Sequence, residues 1–301
     1  VTAVNQFDTQ RVRSEAARQR QRRQLLTTIN RIVIYILLMI TLLIVILPLM
    51  WAIAASLTPN ELVFKYVYPF SWRALFPSNP TLEAYVALFT QQDMGRAILN
   101  TAALALGTVV VGLLISAMAG FAFAKFEFRG KNVLFIIVLL TFMIPVEVII
   151  IPLYVIVRDW GWVNSWYGLF IPGIANGLVI FMFRQFFADI PQEILDAARV
   201  DGASWGRILI QLIVPISLPA IISGALVLFL ASWNSFFWPL VVAPAPEFRV
   251  VQVAVSLAVE ERQTFWNQLM AGAILAAIVP VLLIFPFQRY FVQSIASTGI
   301  K

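Results

Sequence analysis

The chain has neither histidine nor cysteine among its 301 residues. That excludes disulfides, metal sites built on His or Cys, and Ser-His or Cys-His nucleophile pairs. Charge is scarce as well. Asp, Glu, Lys and Arg make up 12% of the chain, against about 25% in a soluble domain. What fills the sequence instead is apolar: 61% of its residues are hydrophobic. Several runs reach the ~20 residues a helix needs to cross a hydrocarbon core of about 30 Å. These features imply an all-α, polytopic membrane protein. The net charge of +6 does not call for nucleic acid, because a basic excess in such a chain anchors its loops on the cytoplasmic side. Membrane lipid is an expected partner and nucleic acid is not.

A phosphate-cradling glycine loop is also missing. The Gly130-Lys131 pair is followed by Asn132 and lacks the earlier glycine of that motif. The chain therefore carries no ATPase site, binds no cofactor or metal, and is expected not to be an enzyme, with no catalytic residues. Glu260-Glu261 read as a solvated face of a polar loop rather than a catalytic acid pair.

Residues 1–31 form an Arg-rich tail, too long and too basic for a cleaved signal peptide. It is expected in the cytoplasm, disordered or helical on the lipid surface. Six spans follow within 32–301, at about 32–55, 97–119, 133–157, 166–187, 208–231 and 269–291. The segment 56–96, rich in proline and aromatics, reads as a long, partly structured outer loop. Of the 21 basic residues, this topology leaves Lys65, Arg73, Arg96, Arg158, Arg249 and Arg262 outside and the rest inside. The bias places both termini in the cytoplasm. The expected location is a bacterial or archaeal cell (inner) membrane.

One polar island interrupts the apolar chain, at 189–219. Asp189 is expected to cap a helix with Gln192 as its capping-box partner and Pro191 in the first turn. Ile194, Leu195, Ala197 and Ala198 make an apolar ridge, with Glu193, Asp196 and Arg199 around it. Gly202 suits a left-handed stop, and Ser204 can start the next turn. A span carrying Pro215 and Pro219 follows. A solvated loop would not need this much order; a surface built to be gripped would.

Two further features stand out. Glu147 lies in an apolar stretch between Pro145 and Pro152, where a charge costs at least about 2.5–3.5 kcal/mol. It either lines a polar pathway, or reaches the interface or pairs inside the bundle. The cluster Trp233, Asn234, Ser235, Phe236, Phe237, Trp238 is either an interfacial aromatic belt or an aromatic face where sugar rings could pack.

The island resembles the EAA loop of permease subunits of ATP-binding-cassette importers: Glu-Ala-Ala, three residues, Gly, nine residues, Ile-x-Leu-Pro. Here it reads Asp196-Ala197-Ala198, Gly202, then Leu212-Ile213-Val214-Pro215. Asp replaces the first Glu, and Leu and Val replace the closing Ile and Leu. Glu193, one turn earlier, can supply the longer carboxylate. Ser56-Leu57-Thr58-Pro59, Thr81-Leu82-Glu83-Ala84-Tyr85, the run Ala119–Phe126, Met143-Ile144-Pro145 and Trp238-Pro239-Leu240 are similar to the maltose-type inner-membrane permease of the carbohydrate-uptake family. The resemblance covers about residues 45–295.

It implies a six-span subunit paired with a second, homologous permease. Two cytoplasmic ATP-binding subunits, which use ATP and Mg, and an extracytoplasmic solute-binding protein would complete the transporter. Residues 188–207 would be the coupling loop seated in a groove of the ATPase. Glu193, Asp196, Ala197, Ala198, Asp201, Gly202, Ala203 and Pro215 would carry the coupling. Glu147, Trp233, Asn234 and Phe237 are the substrate-pathway candidates. The family implies a carbohydrate, an oligosaccharide foremost. A branch resembling glycerol-phosphate and glycerophosphodiester permeases is the alternative, but a carboxylate at Glu147 suits sugar hydroxyls and repels phosphate. The rival class is an ion-coupled secondary transporter that uses Glu147 as a proton relay.

Overall fold

The computed structural model describes residues 2–259 and 264–298, with side chains at 27–259 and 264–287. Glu260-Glu261, Arg262, Lys301 and the side chains of residues 1–26 and Arg289 lie outside the described residues. Helix α1 runs unbroken over Thr2–Ser56, about 80 Å at 1.5 Å per residue. The tail and the first span thus share one helix. A looped segment with 3₁₀ turns at Asn60–Leu62 and Trp72–Ala74 leads to α2 (Glu83–Gln91) and α3 (Met94–Lys125). Next come α4 (Lys131–Met143), α5 (Val146–Asp159), α6 (Trp166–Phe170) and α7 (Gly177–Ala188). The island holds α8 (Gln192–Val200) and α9 (Trp205–Ile208), followed by a π-helical turn Leu209–Ile213 and α10 (Val214–Ile216). Helix α11 (Leu218–Trp233), α12 (Phe237–Val242), α13 (Val251–Ser256) and α14 (Trp266–Thr298) complete the chain. The described residues contain no strand, only an isolated bridge between Val259 and Thr264.

Three helical segments are long and apolar enough to cross a membrane: Thr27–Ser56, Met94–Lys125 and Trp266–Phe287. Three more membrane-length stretches are bent pairs, so the count reaches six if each pair is one span. The bent pairs fall in the stretches expected as the third, fourth and fifth spans. The pair α4 and α5 turns through 102°. Pro145 pushes Ile144 out of the helical region, to φ −84° and ψ 118°, as a following proline does. The segments on either side of 174–176 meet at 42°, and those on either side of Ser217 at 90°. The turn before Pro215 is π-helical, with the Val214 N–H donating back to Leu209 O. Proline can neither donate to Gln211 O nor approach it without a clash, and the wider turn accommodates its ring.

Helix α3 is the centre of the packing. It lies against α7 and α11, while α14 packs against α11, α1 and α2. Close approach rests on two glycines that meet one phenylalanine. A Cβ added at Gly120 would lie 2.7 Å from the Cβ of Phe183, and one at Gly224 would lie 2.8 Å from its Cζ. Phe183 is fully buried. Small residues at such contacts are how helices gain packing in lipid, where no hydrophobic force drives them together. The apolar surface that faces outward is large: none of the most apolar window of α1 is buried in the chain. Helices that satisfy their own backbone can present such surface to lipid.

Candidate functional site

The polar island folds as a helix, a glycine turn and a second helix, rigidly tied to the core. Gly202 has φ +79°, the left-handed region, and ends α8. The Gly202 N–H donates to Arg199 O and the Ala203 N–H to Ala198 O. Ser204 caps α9, its side chain accepting from the Arg207 N–H at 3.4 Å. The start of α8 differs from expectation. Pro191 is its N-cap and makes no side-chain cap, whereas Asp189 ends α7. The capping box is absent; Gln192 Nε2 instead donates to Asp196 Oδ1 at 3.1 Å, one turn along.

Leu195 is the anchor. It is fully buried in the cluster that holds Phe183, Phe187, Ile208 and Ile213. Glu193, Asp196, Ala197, Asp201 and Gly202 are exposed, and Ala198 and Ala203 are half-buried. Pro215 is exposed at the far end of the π turn.

Two residues outside the sequence pattern, Lys125 and Trp205, lock this projection to α3, and Arg199 braces Trp205. Lys125 Nζ donates to the carbonyls of Ile190 and Ala188, placing a cation at the C-terminus of α7. The Trp205 ring packs edge-on to Phe126 at 5.0 Å and tilted to Phe121 at 6.2 Å. Arg199 lies over the Trp205 ring, 5.0 Å from its centroid, and donates to Ala203 O at 2.7 Å. Trp205 is an aromatic on a four-residue polar helix, and that oddity was the available signal.

The second constellation is a cleft of ≈ 410 Å³ at the α4–α5 corner. Glu147, Asn234, Ser235, Phe236, Phe237 and Trp238 line it, with Pro172 and Gly173 behind. Three of the four pathway candidates therefore meet. Glu147 sits in the first turn of α5, where the helix dipole favours a carboxylate. It is exposed, and no hydrogen bond or salt bridge engages it among the described residues. Asn234 Nδ2 donates to Leu230 O at 3.0 Å, and its Oδ1 accepts weakly from Gln252 at 3.4 Å. The Phe236 and Phe237 rings stand edge to face at 5.2 Å. A smaller cavity of ≈ 160 Å³ shares Gly173, Ser235 and Trp238 and continues inward to Thr108 and Asn176.

The fourth candidate, Trp233, points the other way. It is buried, stacks on Phe229 at 5.4 Å and donates from Nε1 to Ala276 O at 2.9 Å. Pro280, four residues beyond Ala276, has no N–H for that carbonyl, so the indole supplies the missing donor. Trp238 does the same across the cleft wall. Its Nε1 donates to Gly168 O at 3.0 Å, the carbonyl that Pro172 leaves open. Both tryptophans satisfy proline-freed carbonyls where lipid offers no water; Trp238 also lends a ring edge to the cleft.

Comparison with known proteins identifies the architecture. Residues 112–297 match the family described as binding-protein-dependent transport system inner membrane component. The chain is 30% identical to an arabinooligosaccharide transport system permease protein, AraQ, of Halalkalibacterium halodurans, over 86% of this chain and 92% of that one. It is also 30% identical to the sn-glycerol-3-phosphate transport system permease protein UgpE of Agrobacterium fabrum, over 90% and 97%. A crystal structure of a bacterial ABC transporter involved in the import of the acidic polysaccharide alginate superposes at a TM-score of 0.73. It shares 25% identity and covers 87% of this chain and 96% of its own. The chain belongs to the binding-protein-dependent transport system inner membrane component family, the permease component of ABC importers. Such a component has no ATPase site of its own and works within a complex of other subunits.

Proposed function

We propose that this permease component moves a neutral oligosaccharide through the Glu147 cleft, driven by a separate ATPase that grips α8 and α9. The observation that carries the substrate is the cleft itself. An unpaired carboxylate and an amide line it together with the rings of Phe236, Phe237 and Trp238, and sugars are held by hydroxyl acceptors and by aromatic rings of that kind. Relatives named for arabinooligosaccharides and lactose support a carbohydrate. Relatives named for sn-glycerol-3-phosphate keep a phosphorylated substrate as the second reading, but Glu147 with no cation beside it disfavours a phosphate.

The coupling reading rests on α8. Its exposed Glu193, Asp196, Ala197 and Asp201 face a partner, and Ala198, Gly202 and Ala203 shape the turn. Leu195, Lys125 and Trp205 tie this surface to α3, so a push on it moves the bundle rather than a loop. Pro215 and the corner at Ser217 let α11 respond as a unit. Two ATP-binding subunits using ATP and Mg, a second permease and an extracytoplasmic solute-binding protein complete the assembly. Both termini and the basic tail, residues 1–31, lie in the cytoplasm of a bacterial or archaeal cell, and residues 32–301 form the six-span domain.

Two experiments test this. The chain, expressed with its neighbouring genes, brings down an ATPase and a second permease, and Gly202→Asp loses or uncouples the ATPase. A chain that purifies alone would sink the coupling reading. Glu147→Gln changes oligosaccharide uptake while the complex still assembles; unaltered uptake kinetics would remove Glu147 from the pathway.

A further inference from the structure

The segment between α1 and α2 has an aromatic surface that neither the fold nor transport uses. It is a closed excursion: the Thr81 N–H donates to Leu57 O at 2.8 Å, so the chain returns to where it left α1. Val63 and Ala74 are its buried interior. Phe64 holds it down, tilted to Trp51 at 5.9 Å and edge-on to Trp266 at 5.2 Å. Those tryptophans mark the last turns of one span and the first residue of another, and the turn Trp72–Ala74 also packs on α1. The segment therefore lies beside the ends of two spans. A helix of 30 residues, Thr27–Ser56, is about 45 Å long and reaches through the head-group region.

At that depth the loop turns its rings outward. Tyr68 is 92% exposed, Trp72 70% and Phe70 62%. Among them lie two cations with no acidic partner. Lys65 Nζ and the Arg73 guanidinium each sit 5.8 Å from the Tyr66 centroid, and neither forms a salt bridge among the described residues.

We propose that the segment 64–76 is a membrane-interface anchor, with Tyr68, Phe70 and Trp72 in the head-group zone and Lys65 and Arg73 on lipid phosphates. Amphipathic rings settle at that level, and a basic pair adds attraction to anionic head groups. The surface continues the lipid-facing side of α1 without a break in the chain. Rings in this position fix the depth of the first span's outer end, so that tilting of the remaining helices is not absorbed by sliding of α1.

The absence of cysteine makes the test direct. In the full chain, assembled with whatever subunits co-purify, Tyr68→Cys and Trp72→Cys carry a nitroxide label, and Gln91→Cys, exposed at the end of α2, is the reference. Tyr68 and Trp72 touch little of the core, so both variants fold. Vesicles of phosphatidylethanolamine and phosphatidylglycerol are compared with phosphatidylcholine alone, and collision rates with oxygen and with a water-soluble nickel chelate are read by electron paramagnetic resonance.

The expected result is that oxygen collisions exceed nickel collisions at 68 and 72 and fall below them at 91. Nickel collisions that dominate at 68 and 72 place the segment in water and overturn the proposal. Low rates with both reagents mean that protein covers it, a second permease or a solute-binding protein, and overturn it equally. The charge assignment has its own arm. Phosphatidylglycerol deepens both labels relative to phosphatidylcholine, and Lys65→Gln with Arg73→Gln abolishes that difference. A difference that survives the double substitution removes the phosphate contact.

Discussion

The indole of Trp233 and the ring of Pro280 form a pair whose energetics can be separated. Proline at 280 leaves Ala276 O without its helical donor, and Trp233 Nε1 fills the place at 2.9 Å in a buried site. Replacing Trp233 with Phe keeps a ring on Phe229 but strands the carbonyl. An unsatisfied buried polar group costs about 1–3 kcal/mol. A smaller ring also leaves a void, which costs something in any background. Pro280→Ala restores an N–H to Ala276 O, so in that background Trp233→Phe should cost only the void. The cycle of wild type, two single variants and the double variant therefore isolates the hydrogen bond, with a coupling of about 1–3 kcal/mol. Read as thermal unfolding of the detergent-solubilised chain by tryptophan emission, Trp233→Phe lowers Tm by about 2–12 °C, at 2–4 °C per kcal/mol. The same change on Pro280→Ala lowers it by less than half of that. Equal losses in the two backgrounds would refute the donor role and leave Trp233 as packing alone.

Four shorter predictions accompany it. Trp238→Phe destabilises in the native background and less with Pro172→Ala, by the same logic at Gly168 O and the same thermal assay. Gly202→Ala meets no atom within 4 Å, so it costs only the left-handed backbone, about 1–2 kcal/mol, and Gly202→Asn costs less; a thermal ranking in any other order contradicts this. Gly120→Val drives side-chain atoms into Phe183 and the backbone N–H of Arg184, and folded yield in detergent should collapse, whereas Gly206→Val, with open space around it, should not change yield. Leu195→Ala removes the buried anchor of α8 for about 2–5 kcal/mol; limited proteolysis then cuts within 192–207 before the rest of the chain, and protection equal to wild type would show that Lys125 and Trp205 suffice.

Local patterns were legible where the chain itself supplies the constraint. Gly202 stops α8 because only glycine takes φ +79° without a Cβ penalty, and Ser204 caps α9 because its hydroxyl reaches the third N–H on. Asp189 misled because capping chemistry was present, but Pro191 starts α8 two residues later. The missed contacts are long-range: Lys125 finds Ile190 O across 65 residues and Trp238 finds Gly168 O across 70. Nothing in a neighbouring pair of letters announces them.

The sequence by itself determined the class and the family. Apolar runs without charge must lie in lipid, the lack of His and Cys removes whole chemistries, and the spacing from Asp196 to Pro215 marks a permease. It also showed prolines in five of the six apolar stretches, but not what they would do. Only the tertiary structure decided that Pro145 makes a 102° corner while Pro280 stays inside a continuous helix. The reason is that a proline's freed carbonyl needs a donor wherever water is absent. At Ala276 O an indole from α11 supplies one and the helix continues, and that donor comes from packing, not from the proline's own neighbours. The same packing turned Trp233 away from the cleft and left Glu147, Asn234 and Phe237 facing it.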